Sequence, residues 1–348
     1  MTRHTRLPVL VPEQIDLYQG DHLITQDVCR FDPQRAARIL RDASDVMAID
    51  IGGDKIRKTI YAFRDGHAER REEVILHAKG GAGYLEFLEG LAREAEARDL
   101  GVGISSATKL EGSVITRTVN LLTFYEEMRA KYDADYENVF PGRVFVANDT
   151  VTGICGASTH LAATADSGNE TAFFICASGV GASVIKDGVA IHVEAAHVPL
   201  VDILNPLEQR TPCNVEGKQY VCVERVAAVR AGVEDLYLQQ TGTALDGVAL
   251  GKRYEQGDPL PVLLFETSAL VLAHAIAGVL QRYSFTSSAN VAVVLHGGSF
   301  EIARYRAEVT RNLDAILTLP QPRVVFSRDI SPNICLDGAA ILAAYHAR

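Results

Sequence analysis

The sequence contains no tryptophan, only three methionines among 348 residues, and no surplus of basic charge. Its formal net charge is −10 and no segment concentrates Lys and Arg, which argues against nucleic acid as a partner. The longest apolar runs, 291–295 and 339–344, are too short to cross a membrane. The opening residues lack the apolar stretch of a secretion signal, so we expect a cytoplasmic protein with neither membrane nor nucleic acid as a partner.

The cysteines are few and widely spaced, which excludes a disulfide framework and favours reduced thiols. They are Cys29, Cys155, Cys176, Cys213, Cys222 and Cys335. Only Cys213 and Cys222 favour a metal interpretation. The apolar content of 47% is typical of a globular chain, here long enough for two substantial lobes.

The hydrophobic periodicity of the first half predicts the order βββαβαβ. The predicted elements are strands at 46–51, 55–62 and towards Leu76, a helix at 83–98, a strand at 101–105, a helix at 123–133 and a strand at 143–147. Residues 1–44 form an extension of unknown role, predicted to be an irregular stretch with prolines followed by a helix that begins at Asp32 and Pro33.

The second half repeats this order, which indicates an internal duplication. The predicted elements are strands at 171–176 and up to 185, a turn at 186–188, helices at 224–240 and 259–284, strands at 291–295 and 323–327, and a closing helix from about 337. The predicted fold is α/β with two lobes, each a mixed βββαβαβ sheet with flanking helices. We place the small lobe at 45–147, completed by helix 337–348, and the large lobe at 148–336.

A Gly-Gly turn follows the first strand and is typical of a phosphate-binding hairpin. Gly52 and Gly53 allow backbone N–H groups to approach phosphate oxygens, and Asp50 at the strand end can hold Mg²⁺ through water. The alternative is an ordinary hairpin turn.

Asn148 and Asp149 end another strand and lead into a helix, where a substrate can reach them. A hydroxyl is a poor nucleophile, so a carboxylate within hydrogen-bond reach of a substrate hydroxyl would serve as general base. The alternative is that Asp149 only caps the helix.

These motifs, in this order, resemble the ROK sugar kinases, members of the actin-like, hexokinase and heat-shock chaperone ATPase superfamily. The resemblance covers about 45–348. Residues 50–56 match the family's first phosphate motif except at Asp54, 177–181 resemble the second loosely, Gly297 and Gly298 match the adenosine-side glycines, and 338–340 match a Gly-Ala-Ala helix. The resemblance implies actin-like (ribonuclease H-like) lobes, ATP, Mg²⁺ and a sugar bound in the cleft between them, and a homodimer.

The resemblance also implies residue roles. Asp149 would be the catalytic base, and the sugar would be bound by Asn148, Asp149, Glu194, His197 and Glu224. The nucleotide would be bound by Asp50, Gly52, Gly53, Asp54, Lys55, Ser178, Gly179, Gly297 and Gly298. Carboxylates suit sugar binding because each accepts two hydroxyl hydrogen bonds. For Glu194 and Glu224 the alternative is a solvated helix face.

Many family members hold a structural zinc with this histidine and a Cys-x-Cys-Gly-x-x-Gly-Cys run. Here only His197, Cys213 and Cys222 remain as candidate ligands, because the middle cysteine is missing. A closed structural zinc site uses four ligands, so the sequence predicts a low zinc content.

The sequence departs from the family at several phosphate-binding positions. Asp54 replaces a hydroxyl residue that donates to phosphate, and a carboxylate there would face like charge. Ala177 replaces a glycine, and Ser105–Thr108 stand where the family often has Pro-Gly.

We therefore predict ATP-dependent phosphorylation of a hexose or hexosamine, with a glucokinase-like reaction as the leading case. The alternatives are a non-catalytic sugar or nucleotide sensor, or a kinase acting on an amino sugar or another sugar-like alcohol. The sequence does not name the hydroxyl, because a few pocket contacts decide it.

Overall fold

The computed structural model describes residues 25–39, 43–64, 67–78, 81–118, 121–164, 170–200, 211–213, 215, 219–285, 291–317 and 322–346. The chain divides into two compact units. Unit one contains the described residues within 27–171, 183–192 and 327–348, and unit two contains those within 1–26, 172–182 and 193–326. The lobe boundaries expected from the sequence stay a prediction.

The predicted α/β fold is confirmed, because the elements follow the βββαβαβ order twice. The first set comprises β2 (Val46–Ile51), β3 (Lys55–Arg64), β4 (His67–His77), α2 (Tyr84–Ala97), β5 (Gly101–Ser106), β6 (Lys109–Glu111), β7 (Val114–Arg117), α3 (Leu122–Tyr132), α4 (Tyr136–Val139), β8 (Val144–Asn148) and α5 (Asp149–Ala163). Five of these strands form a mixed sheet in the order β4-β3-β2-β5-β8, and β6 and β7 form a separate hairpin.

The second set contains more helix. It comprises β9 (Thr171–Cys176), β10 (Val180–Lys186), β11 (Val189–Val193), α6 (Glu224–Ala227), a π-helix (Val229–Glu234), α7 (Asp235–Thr241), α8 (Gly247–Glu255), α9 (Pro259–Arg282), β12 (Ala292–His296), α10 (Ala303–Ile316), β13 (Arg323–Phe326), α11 (Ser327–Ile330) and α12 (Ile334–His346). The helix predicted at 224–240 is interrupted at Ala228, whose extended backbone separates α6 from the π-helix.

The N-terminal extension contains more structure than its sequence indicated. The helix predicted at Pro33 is present as α1 (Pro33–Ile39), and the Asp32 carboxylate accepts the N–H groups of Gln34 and Arg35 at 2.9 and 3.0 Å. The stretch predicted to be irregular contains a strand, β1 (Thr25–Arg30). It joins the six-stranded sheet, whose order is β1-β11-β10-β9-β12-β13. Most of residues 1–44 lies outside the described residues.

The closing helix α12 packs closely within unit one, and glycine makes this possible. A Cβ on Gly338 would lie 1.7 Å from the Thr152 carbonyl oxygen on α5. A Cβ on Gly103 of β5 would lie 2.0 Å from the Ala339 carbonyl oxygen. The Gly-Ala-Ala motif therefore has a packing role, since any larger side chain would separate these elements.

Within the described residues, only α9 is long and apolar enough to cross a membrane, yet 78% of that stretch is buried inside the protein. It forms the core of unit two, where Phe265 stacks on Tyr254 and meets the edge of Tyr305. Core helices of globular proteins have the same apolar character.

Candidate functional site

Asp50 lies near the end of β2 and is held by two neighbours. It pairs directly with Arg57 across the β2–β3 hairpin, so the two side chains share one face of the sheet. The Arg57 guanidinium donates to Asp50 Oδ2 at 2.6 and 3.2 Å, and Ser105 Oγ donates to Oδ1 at 3.1 Å. Another Arg57 nitrogen donates to Asn333 Oδ1 at 2.7 Å. A metal that approached this carboxylate would compete with the guanidinium.

The Gly-Gly turn closes the hairpin tightly. The Gly52 N–H donates to the Lys55 carbonyl at 2.9 Å, so in this conformation it belongs to the turn. The Tyr84 hydroxyl lies 3.2 Å from the Gly52 carbonyl oxygen. Burial, with the charges of Asp54 and Asp50, raises the pKa of Tyr84 to about 12. Asp54 is half-buried at this turn and Lys55 is exposed.

Asn148 and Asp149 lie where β8 passes into α5. Asn148 is the N-cap, because its Oδ1 accepts the Thr150 N–H at 2.9 Å. Asp149 is the first residue of the helix and is half-buried. The capping role considered for Asp149 in the sequence is thus performed by the side chain of Asn148.

The Asp149 carboxyl has a strongly shifted proton affinity. Burial raises its pKa to about 7, the charge of Asp50 adds to the rise, and His192 and the N–H groups of Thr150 and Asp149 oppose it. A general base works best when its pKa lies near the working pH, so this value suits proton abstraction.

Hydrogen bonds connect the Asp50 carboxylate with the backbone of Asp149. Thr152 Oγ1 lies 2.9 Å from Ser105 Oγ and 2.9 Å from the Asp149 carbonyl oxygen, and Ser105 in turn donates to Asp50. The strand ends of β2, β5 and β8 therefore meet the start of α5 at one edge of the five-stranded sheet. The predicted site residues Asp50, Asn148 and Asp149 therefore lie together at this edge, within unit one.

Unit two brings the predicted sugar-binding residues Glu194, His197 and Glu224 together. His197 lies between the two acids, with Nε2 3.5 Å from Glu194 Oε1 and Nδ1 3.7 Å from Glu224 Oε2. Burial opposes protonation, but the hydrogen bond with Cys213 and the charges of both acids raise the pKa of His197. Glu224 is only 7% exposed, so it does not lie on a solvated helix face.

The two cysteines predicted as candidate zinc ligands contact the same histidine. Cys213 Sγ lies 3.4 Å and Cys222 Sγ 4.0 Å from His197 Nδ1, and one ligand atom from each of the three lies within 4.8 Å of the others. Hydrogen bonding from Cys222 and from His197 lowers the pKa of Cys213 to about 4, against burial. Hydrogen bonding to Cys213 and burial raise the pKa of Cys222. His197, Cys213 and Cys222 would therefore supply three of the four ligands that a structural zinc site uses.

The loop at Ser178 and Gly179 contacts Glu224, one of the acids predicted to bind sugar. A Cβ on Gly179 would lie 2.5 Å from Glu224 Oε1, so only glycine leaves the carboxylate in place. The π-helix anchors this loop, because the Val229 and Ala231 N–H groups donate to the carbonyls of Ala177 and Ser178 at 2.8 and 3.4 Å. A π-helix is rare and often lies at a functional site.

The glycines at the end of β12 have different surroundings. Gly297 has φ 130°, and a Cβ there would lie 2.0 Å from the Cys176 carbonyl oxygen. Ser299 Oγ donates to the same oxygen at 2.8 Å. A Cβ on Gly298 would contact nothing within 4 Å. Chain packing therefore explains Gly297, whereas Gly298 leaves open space that a nucleotide could use.

The sequence reasoning missed three polar residues of the site in unit one: Arg57, Ser105 and His192. The hairpin register could have identified Arg57, since a turn centred on Gly53 and Asp54 places residues 50 and 57 opposite each other. Ser105 was noted only as a departure from the family. No local signal identifies His192, whose Nδ1 lies 2.8 Å from Thr150 Oγ1 on a helix 42 residues away.

The fold is that of the actin-like ATPases. The ROK family profile matches residues 46–346, and the chain therefore belongs to the ROK family. No curated protein matched the sequence significantly.

The structure is similar to several solved ROK proteins. A ROK hexokinase from Thermus thermophilus has 20% identity and a TM-score of 0.62, covering 86% of this chain and 98% of that one. A ROK glucokinase from Streptomyces griseus, in complex with glucose and AMPPNP, has 19% identity and a TM-score of 0.62, covering 87% and 100%. A ROK transcriptional regulator homologous to the E. coli MLC protein has 16% identity and a TM-score of 0.58, covering 87% and 80%.

Proposed function

We propose that this protein is an ATP-dependent sugar kinase that phosphorylates a hydroxyl of a hexose or hexosamine, as a glucokinase does. The observation that carries the proposal is Asp149, a half-buried carboxyl at a strand end with a pKa raised to about 7. Family membership and the fold shared with a hexokinase and a glucokinase support it.

In this proposal Asp149 accepts the proton of the attacking hydroxyl, and Asn148 donates to a neighbouring sugar oxygen. Asn148 Oδ1 already accepts two hydrogen bonds from Thr150, and Nδ2 donates one to the Thr108 carbonyl at 3.2 Å. One Nδ2 hydrogen therefore remains for substrate. Glu194, His197 and Glu224 would bind further hydroxyls, because carboxylates accept them strongly.

The residues that would bind the nucleotide are those that the resemblance implies, Gly52–Lys55, Ser178, Gly179, Gly297 and Gly298. Asp50 would hold Mg²⁺ through water, and the ion would neutralise charge on the transferred phosphate. Arg57, which pairs with Asp50, would supply a further positive charge beside it.

The test is Asp149→Asn, which keeps the side-chain volume and removes the base. Turnover in an ADP-release assay over a hexose and hexosamine panel should fall at least about a hundredfold, while sugar affinity by calorimetry is kept. Asp45→Asn, an exposed acid before the same sheet, is the matched control. An Asp149→Asn turnover within threefold of wild type would exclude the general-base role.

A second candidate is a non-catalytic sugar or nucleotide sensor on the same scaffold. The observation that favours it is the ion pair at 2.6 Å between Arg57 and Asp50, which occupies the carboxylate assigned to Mg²⁺. Similarity in fold to a transcriptional regulator is compatible with it. Sugar binding without ADP release on any sugar of the panel would favour this function.

A further inference from the structure

Thr150, the second residue of α5, is held from both sides within unit one. Ser183 Oγ donates to the Thr150 carbonyl at 2.6 Å, and His192 Nδ1 lies 2.8 Å from Thr150 Oγ1. Thr150 Oγ1 itself donates to Asn148 Oδ1 at 2.7 Å. These side chains are all buried, so the hydrogen bonds are protected from competing water.

The partners fix the tautomer of His192. Thr150 has a single hydroxyl hydrogen, and Asn148 Oδ1 can only accept, so that hydrogen points towards Asn148. The Thr150 oxygen must then accept from His192, which requires the proton on Nδ1. A neutral His192 ring therefore carries its lone pair on Nε2.

The same chain fixes the orientation of the Asn148 amide. Its oxygen faces two hydrogens from Thr150 and its nitrogen faces the Thr108 carbonyl. An amide flipped by 180° would oppose donor to donor on one side and acceptor to acceptor on the other. Asn148 is therefore presented to substrate as a donor, next to Asp149.

We propose that His192 is a positioning residue for the Asn148–Asp149 pair, acting on Asn148 through the Thr150 hydroxyl. The inference rests on the proposed function, in which this pair binds the sugar. It adds a residue to which no sequence motif assigned a role.

Several charged and titratable groups act around Asp149. They are Asp50 on β2, His192 on β11 and Cys335 on α12, whose own pKa the Asp149 charge helps to raise. Asp50 raises the pKa of Asp149 and His192 lowers it. Loss of His192 would therefore leave Asp149 protonated to a higher pH, because the group that favours its anion is gone.

Three variants separate the two effects. His192→Phe keeps a flat ring and removes both the donor and the charge. His192→Asn places an amide N–H near the position of Nδ1 but carries no charge. Thr150→Val keeps the volume of Thr150 and removes its hydroxyl.

His192→Phe should lower kcat/KM for the best hexose of the panel about tenfold, chiefly through KM, because one buried hydrogen bond is lost. His192→Asn should have a kcat/KM within about threefold of wild type, because its amide N–H replaces the lost donor. The double variant His192→Phe/Thr150→Val should lose no more than the larger single change, because both act through one hydroxyl. The acidic limb of kcat/KM should move to higher pH in both His192 variants.

The outcomes distinguish this inference from the proposed function. Additive losses in the double variant, or an unmoved acidic limb in both His192 variants, would overturn the positioning role even if wild type is an active kinase. If wild type binds glucose without turnover, the kinase proposal fails, and glucose affinity by calorimetry tests His192 in the same variants. Unchanged affinity in His192→Phe, or no sugar binding by wild type, would overturn the inference.

Discussion

At the residue scale, the ion pair between Arg57 and Asp50 changes how the first phosphate motif is understood. The sequence alone places a bare carboxylate beside the Gly-Gly turn, with Asp54 as a second acid and Lys55 as the nearby cation. The structure places the Arg57 guanidinium on Asp50 and leaves Lys55 exposed. Relief of like charge at Asp50 is therefore provided by Arg57.

Asp54 stands where the resemblance to the family leads us to expect a hydroxyl residue. If it helps Asp50 to hold Mg²⁺, Asp54→Thr should slow turnover and raise the Mg²⁺ concentration needed for half-maximal activity, because a hard oxygen ligand is lost. Titration of Mg²⁺ against ATP turnover measures this. Asp45 is an exposed acid outside the turn, and Asp45→Thr is the control. If the variant instead binds ATP about tenfold more tightly and turns over faster, Asp54 repels the nucleotide.

At the element scale, the loop 177–179 and the helix α6 contact each other through Gly179 and Glu224. Because the missing Cβ makes room for the carboxylate, Gly179→Ala should displace Glu224 and weaken sugar binding about tenfold. Calorimetry with sugar in the absence of nucleotide measures the change, and thermal unfolding should shift little because a side-chain end can move.

The control for that change is Gly90→Ala on α2, where a Cβ would meet only the end of Arg93, at 4.0 Å. Equal sugar affinity in wild type and Gly179→Ala would show that the position of Glu224 does not matter for binding.

The segment that carries His197, Cys213 and Cys222 supplies three candidate zinc ligands within 4.8 Å of one another. No fourth thiol or imidazole joins them among the described residues, which leave out residue 214 and residues 216–218 of this loop. We expect substoichiometric zinc, since structural sites are four-coordinate. Elemental analysis of protein purified without chelator measures it. One zinc per chain after dialysis would require a further ligand.

At the scale of the whole molecule, stability should depend on pH through His274 in the middle of α9. This side chain is 3% exposed, and its Nε2 has no hydrogen-bond partner among the described residues. Burial lowers its pKa to about 4, from an ordinary value of 6.5. The unfolded chain therefore binds a proton that the folded protein rejects, and stability is lost as pH falls from about 6.5 towards 4.

His274→Leu should remove this loss. The free energy of urea unfolding of the variant, relative to wild type, should rise by about 3 kcal/mol between pH 7.5 and pH 4. The contribution of Asp149 to the pH dependence of stability has the opposite sign, because its raised pKa makes the folded state gain stability on acidification. Asp149→Asn should remove that gain. A difference between His274→Leu and wild type that does not vary with pH would contradict the assignment to His274.

The sequence by itself determined the order of elements, because alternating apolar residues and glycine turns are local signals that survive without tertiary context. Strand 171–176, helix 259–284 and the motif at 50–56 were identified in this way. Local signals did not identify the interruption at Ala228. There, backbone N–H groups of the π-helix bond to the carbonyls of Ala177 and Ser178, which come from a distant segment.

Only the tertiary structure decided which polar residues act together. The hydrogen bonds from Ser105 to Asp50 and between His192 and Thr150 join residues 55 and 42 positions apart, and burial raises the pKa of Asp149 to about 7. Proton affinity depends on desolvation and on neighbouring charge, and both are set by packing between segments rather than by sequence neighbours. The chain order therefore indicated an acid at a strand end, and the fold made it a candidate base.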